Sequence, residues 1–320
     1  MGDYDLNTQS LFANVVEASP VVKQISPAEA RSLAMAGSPA DRAEFTRAVS
    51  VAVDSYRKSS EQIRKLIERA RRTSCPGGLW IIGQGGMGKT FVLEAIHQNY
   101  PPIETPILRT CPVLLIKFSA RPSVSDILLS LLLEMGQSPA FLRGLSNAEL
   151  EEAALDAMRI CKVCVILFDE AHHLWLTTGK NSRSGGTVGD FLKRFYDSSG
   201  VAFIFAGTEV LTQAYEKDPQ LNTRWIGRID LQGFKNDLKF RGVLAALDAA
   251  LPMTSPASLA SEPLASSLYR ACDGNFRKLK MLLSEAVYLA SAENAPSLNK
   301  HYLKQAYLDL SAEEETPFDG

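Results

Sequence analysis

Along the middle of this chain, short uninterrupted apolar runs alternate with stretches whose apolar residues recur every three to four positions. Leu79-Trp80-Ile81-Ile82, Val113-Leu114-Leu115-Ile116, Cys164-Val165-Ile166-Leu167-Phe168 and Val201-Ala202-Phe203-Ile204-Phe205-Ala206 have the pattern of strands buried on both faces of a parallel sheet. Between them, helical spacing runs through Phe91, Val92, Leu93, Ala95 and Ile96, through a leucine-rich stretch around 125–135, over 147–160, and up to Tyr196. The alternation predicts an α/β fold, a parallel sheet flanked by helices. Upstream, Phe45, Val49, Ala52, Tyr56, Ile63, Leu66, Ile67 and Ala70 predict one or two helices between Asp41 and Arg72, interrupted at Ser59-Ser60. Pro20, Pro27, Pro39 and small apolar clusters such as Val15-Val16 give residues 1–40 the character of an extended arm. Beyond the short strand Ile229-Asp230-Leu231, patterns near 235–249, 261–272, 275–292 and 297–309 predict a small helical lid. The expected division is an arm over 1–40, a helical extension over 41–74, an α/β core over 75–232, a lid over 233–310 and an acidic tail over 311–320.

The chemistry enters at the end of the first strand. Gly83-Gln84-Gly85-Gly86-Met87-Gly88-Lys89-Thr90 is a complete phosphate-binding loop, G-x-x-x-x-G-K-[ST], set between a predicted strand and a predicted helix. Gly83, Gly85, Gly86 and Gly88 let the backbone turn its N–H groups, with those of Met87 and the helix start through Phe91, onto phosphate oxygens. Lys89 would reach the β- and γ-phosphates, and Thr90 would ligate Mg²⁺. Downstream, the strand ending in Asp169-Glu170 reads as a Walker B segment. Asp169 would hold the Mg²⁺ through its water shell, and Glu170 would orient or deprotonate the attacking water. Thr208, after the next strand, lies beside Glu170 in a sheet of this type and is the candidate sensor of the γ-phosphate.

Bulk properties narrow the classes. With 320 residues and 46% hydrophobic content, the chain can bury a sizeable core. No apolar stretch reaches the ~18 residues of a membrane span. The start, Met1-Gly2-Asp3-Tyr4-Asp5-Leu6, carries neither a signal-peptide nor a myristoylation pattern, so a cytoplasmic, membrane-free protein is expected. Cys75, Cys111, Cys161, Cys164 and Cys272 form no evident framework and are expected as reduced thiols; Cys161-x-x-Cys164 stands alone and flanks a buried strand. A net charge of −2 argues against a whole-surface nucleic-acid binder but leaves room for local basic patches. Lys58, Arg64, Lys65, Arg69, Arg71 and Arg72 crowd the approach to the phosphate loop, while Glu313, Glu314 and Glu315 mark the tail.

In this order of motifs the chain resembles the AAA+ ATPases and, within them, the TniB/TnsC family of transposition regulators. Four segments carry the likeness: Pro112–Ser123 with its Ala120-Arg121-Pro122-Ser123, Phe168-Asp169-Glu170-Ala171-His172-His173-Leu174, Ala206-Gly207-Thr208-Glu209, and Asp218-Pro219-Gln220-Leu221-Asn222-Thr223-Arg224-Trp225. Trp225 departs from the family, which usually has Phe there. The resemblance implies an AAA+ P-loop core with a C-terminal helical lid, ATP and Mg²⁺ as cofactors, and ATP-dependent assembly into a ring or helical homo-oligomer on double-stranded DNA. It further implies recruitment of a transposase and a targeting protein. ATP would lie between subunits, so an arginine from a neighbour would sense its γ-phosphate: Arg224 is the candidate, with Arg228 the alternative. Arg277, in Gly274-Asn275-Phe276-Arg277, would reach the same phosphates from within the subunit. DNA contact would come from Lys180 and Arg183 in the polar loop after the Walker B strand, joined by Lys117 and Arg121. A few such cations per subunit, repeated over many subunits, bind phosphates tightly without a basic net charge. Two other readings remain open: a nucleotide-gated adaptor in secretion or signalling, and a replication initiator or helicase loader.

Overall fold

The computed structural model describes residues 26–51, 53–175, 186–311, 313 and 315–319. It opens with two helices, α1 (Pro27–Ala36) and α2 (Pro39–Ala48). Each starts on a serine that closes a reciprocal capping box with a carboxylate three residues on, Ser26 with Glu29 and Ser38 with Asp41. The extended arm expected over 1–40 is therefore helical over 27–36 and again from 39. Pro27 and Pro39 stand in the first turn, where a helix has no use for the missing N–H. Residues 1–25 of that arm lie outside the described residues. Helix α3 (Asp54–Ala70) passes unbroken through Ser59-Ser60, because Ser59 is buried and its hydroxyl donates to the Ser55 carbonyl at 2.8 Å. The interruption expected there falls instead between α2 and α3.

The core follows in chain order: β1 (Gly78–Ile82), α4 (Lys89–Asn99), the hairpin β2 (Ile103–Glu104) and β3 (Arg109–Thr110), then β4 (Val113–Lys117). After these come α5 (Val124–Glu134), α6 (Pro139–Leu142), α7 (Asn147–Ile160), β5 (Val165–Asp169) and a 3-10 turn (Ala171–Leu174). Helix α8 (Gly186–Ser199), β6 (Ala202–Gly207), α9 (Val210–Lys217), α10 (Pro219–Arg224) and β7 (Gly227–Asp230) complete it. Five strands pair in the order β4-β5-β6-β1-β7, all parallel. Alternation along the strands divides the interior. Leu79, Ile81, Val165, Leu167 and Ile204 face α3, α4 and the lid, while Trp80, Ile166, Phe168, Phe203 and Phe205 face the α5, α7 and α8 side. On that second face Trp225 is fully buried against Phe203 and Phe205, and its carbonyl accepts from the Trp80 indole at 2.8 Å.

The lid comprises α11 (Leu238–Ala250), α12 (Leu264–Cys272), α13 (Phe276–Ala292) and α14 (Lys300–Ser311), and its apolar interior is continuous with the first face of the sheet. Helix α2 lies along α13, where Lys280 donates to the Val49 carbonyl at 2.6 Å and Ser284 to that of Ala43 at 2.7 Å. Arg31 of α1 donates to the carbonyls of Leu251 and Met253, both at 2.8 Å. The N-terminal helices thus belong with the lid. The tail is also tied down: Phe318 is fully buried against Tyr307, and Arg270 donates to the Pro317 carbonyl at 2.8 Å. Among the described residues, no helix is long and apolar enough to cross a membrane.

Candidate functional site

β1 delivers the chain at Ile82 into the loop 83–88, which ends on the first turn of α4. Gly86 (φ +83°) and Gly88 (φ +81°) adopt left-handed conformations, and a Cβ on either would collide with a neighbour, Asn275 at Gly86 and the Tyr56 hydroxyl at Gly88. Lys89 is 5% exposed, and its ammonium donates to the carbonyls of Gly83 at 2.6 Å and Gln84 at 2.8 Å. Burial pushes that ammonium below the ordinary lysine range, and the nearby Glu170 and Asp169 charges oppose the shift.

Asp169 ends β5 and is 1% exposed. Burial drives its carboxyl above the usual carboxylate range, against the Thr90 hydroxyl and the Glu170 N–H, which donates at 2.9 Å. A buried carboxylate beside a threonine hydroxyl is a hard-oxygen pair that suits Mg²⁺, an ion that keeps its other positions for water and phosphate. Glu170 follows in a left-handed conformation (φ +51°), a strain on the order of 1–3 kcal/mol for a non-glycine residue. Its carboxylate lies 3.2 Å from His172 Nδ1, whose imidazole is kept below the ordinary histidine range by burial first and by His173 second.

A cavity of about 550 Å³ collects these groups: Gly85, Gly86, Gly88, Lys89, Thr90, Glu170, Thr208 and Arg277 all line it. Arg277 enters from the first turn of α13, which Asn275 caps. Phe91 lines it too, whereas Met87 does not: its side chain is buried in the apolar core, and Gly83 lies under Leu231. The Met87 side chain therefore packs in the core, so any part it has in binding falls to its backbone N–H. The far wall holds Arg47, Ser50, Val51, Tyr56, Phe276, Lys280 and Met281, none of which the sequence singled out for binding. Tyr56 packs 5.8 Å from Phe91 and 6.3 Å from Phe276, making an aromatic wall suited to a flat base. Burial pushes the Tyr56 hydroxyl up to about 12, so it stays protonated. Its helical spacing reads only as a core position, and nothing in the local sequence marks it as facing a ligand.

The two arginines stand elsewhere. Arg224 closes α10 beside Gly77, at the end of β1 remote from the loop, roughly 16 Å away by strand rise. Its guanidinium donates to both Asp197 oxygens, at 3.1 and 2.8 Å, and holds that carboxyl below the usual range. Arg228, on the edge strand, pairs with Asp230 at 3.0 Å and Glu216 at 3.4 Å. Lys117 ends β4 next to Asp169 in register and pairs with Glu94, a residue of the cavity wall, so it sits at the nucleotide end of the sheet. Arg121 is exposed just beyond it, while Lys180 and Arg183 lie outside the described residues.

Several solved structures share this fold. The Aeropyrum pernix ORC2 protein in its ADPNP-ADP complexes superposes with a TM-score of 0.59 at 16% identity, over 83% of this chain and 71% of that one. The A. pernix ORC1 protein in complex with DNA gives 0.58 at 15% identity, over 82% and 66%. Drosophila ORC bound to DNA gives 0.55 at 14%, over 98% and 71%. Likeness at such identity is one of fold. No curated protein matches by sequence. The family described as bacterial TniB protein matches residues 44–236, from α2 past β7, a span that takes in the phosphate loop, both carboxylates, the Thr208 strand end and the arginine segment. The chain belongs to the bacterial TniB protein family.

Proposed function

We propose that this protein is an ATPase that assembles on duplex DNA with ATP and Mg²⁺ and recruits a transposase and a targeting protein. One observation carries the enzymatic half: Lys89, Thr90, Glu170 and Thr208 line a single cavity, and the buried Asp169 sits against Thr90 and the Glu170 N–H. Lys89 and the loop N–H groups bind the phosphates, Glu170 orients and deprotonates the attacking water, and Thr208 and Arg277 read the γ-phosphate. Thr90 and Asp169 would hold Mg²⁺, which would supply charge neutralisation at the phosphates. Arg224, remote from its own loop, completes the site of a neighbouring subunit, which makes hydrolysis depend on assembly.

Family membership supports the DNA half, as do two structural neighbours that are bound to DNA, the A. pernix ORC1 protein and Drosophila ORC. Lys180 and Arg183, with Lys117 and Arg121, contact phosphates without reading bases. Each subunit contributes few contacts, so affinity appears when ATP joins subunits and multiplies them. Gel shifts on unrelated duplexes, with ATP, ADP or no nucleotide across a salt series, test this. Binding is expected only with ATP, falling steeply with salt, and Lys180→Ala with Arg183→Ala should flatten the slope equally for all sequences. Absence of ATP-dependent binding to any duplex would favour a nucleotide-gated protein adaptor.

A further inference from the structure

Glu170 leaves its strand in a left-handed conformation, and the chain closes at once into a tight turn, the His173 N–H donating to the Glu170 carbonyl at 3.1 Å. That geometry carries His172 back toward the carboxylate, with Nδ1 at 3.2 Å from Oε2. The His172 side chain is 16% exposed, its Nδ1 is buried with no aligned hydrogen-bond partner, and His173 lies across its ring at 4.3 Å. A buried ring nitrogen without a partner is costly, and the Glu170 carboxylate is the acid within reach. A second contact ties the turn to the neighbouring strand. A methyl group on Gly207 would stand 2.9 Å from the His172 backbone nitrogen, and Gly207 is the residue before Thr208. The turn bearing His172 therefore rests on the strand end bearing Thr208, with no slack between them.

We propose that His172 is a positioning residue for Glu170: its Nδ1–H holds the carboxylate in the orientation that activates water, and its seat on Gly207 couples that orientation to Thr208. His172 acts through Glu170, so this role rests on Glu170 being the base.

Single-turnover ATP hydrolysis and ATP affinity of the full chain separate the two. Glu170→Gln is expected to slow hydrolysis by about 10²-fold or more, and His172→Ala by about 10- to 100-fold, both with affinity unchanged. His172→Asn, which keeps a donor near the Nδ1 position, should recover part of the rate. The double variant should be no slower than Glu170→Gln alone, because the histidine has nothing left to position. Wild-type hydrolysis by Glu170→Gln overturns the assignment of the base itself. With that defect present, a wild-type rate for His172→Ala, or an additive loss in the double variant, overturns the role of His172. If His172→Ala loses nucleotide affinity, Gly207→Ala decides: its methyl displaces the turn, and a slowed rate with intact affinity is expected, whereas an unchanged rate overturns the coupling.

Discussion

The side-chain amide of Asn275 donates to the Gly85 carbonyl at 2.8 Å, so the residue that caps the lid helix α13 also holds the phosphate loop. The same side chain accepts from the N–H groups of Arg277 and Lys278 at 3.0 and 3.2 Å. One residue thereby sets the angle at which Arg277 meets the cavity and joins lid to loop across 190 positions of sequence.

Substitutions at Asn275 should separate these duties. Asn275→Ala loses both cap and bridge, so thermal unfolding should show a loss of about 1 kcal/mol, with weaker ATP affinity by titration. Asn275→Ser keeps a capping oxygen but cannot reach Gly85. Its stability should stay near wild type while its affinity falls, and unchanged affinity would deny the bridge a part in binding.

Arg224 pairs with Asp197 and lies away from its own phosphate loop, and the role proposed for it is at a neighbour's site. Arg224→Ala should bind ATP normally yet hydrolyse about 10³-fold more slowly. Mixing it with Lys89→Ala protein should restore activity, because a subunit with an intact loop then meets one with an intact arginine. Normal turnover by Arg224→Ala would move the role to Arg228.

Phe318 is fully buried in the lid, which alters what the tail can be asked to do. A free docking segment would expose its aromatic residue. Phe318→Ala should cost about 3 kcal/mol or more, the range for truncating a buried phenylalanine. Denaturant titration would show it, and a cost near zero would mean that the tail is not anchored to the lid.

Four serine-capped helix starts carry carboxylates held below their ordinary range by the capping serine: Glu29, Asp41, Asp126 and Glu149. A lowered folded value means that the stabilisation is complete above the unfolded values of 4.5 for Glu and 3.8 for Asp, and is lost as pH falls through the folded ones. Melting temperatures should therefore hold from pH 7 to 5 and drop below about pH 4. Ser146→Ala, which removes the partner of Glu149, should shrink that drop.

Local patterning determined the candidate nucleotide site and the framework around it. The phosphate loop, Asp169-Glu170 and Thr208 were legible because each lies at the end of a strand apolar enough to be read alone, and a parallel sheet puts strand ends together. Helices α7 and α13 emerged close to their expected spans for the same reason, strong periodicity bounded by a capping residue. Tertiary structure decided the rest, wherever a residue's meaning depends on a distant neighbour. Pro27 and Pro39 read as breakers until serine caps made them helix starts, and the two-residue strands β2 and β3 carry too little pattern to register. Tyr56 and Phe276 look like core positions in any periodicity, and only the meeting of α3, α4 and α13 turns them into a cavity wall. His172 was visible beside the acids, but its approach to Glu170 required a left-handed backbone and a glycine seat on another strand. Periodicity reports which face of an element is buried; it carries no information about what that face is buried against.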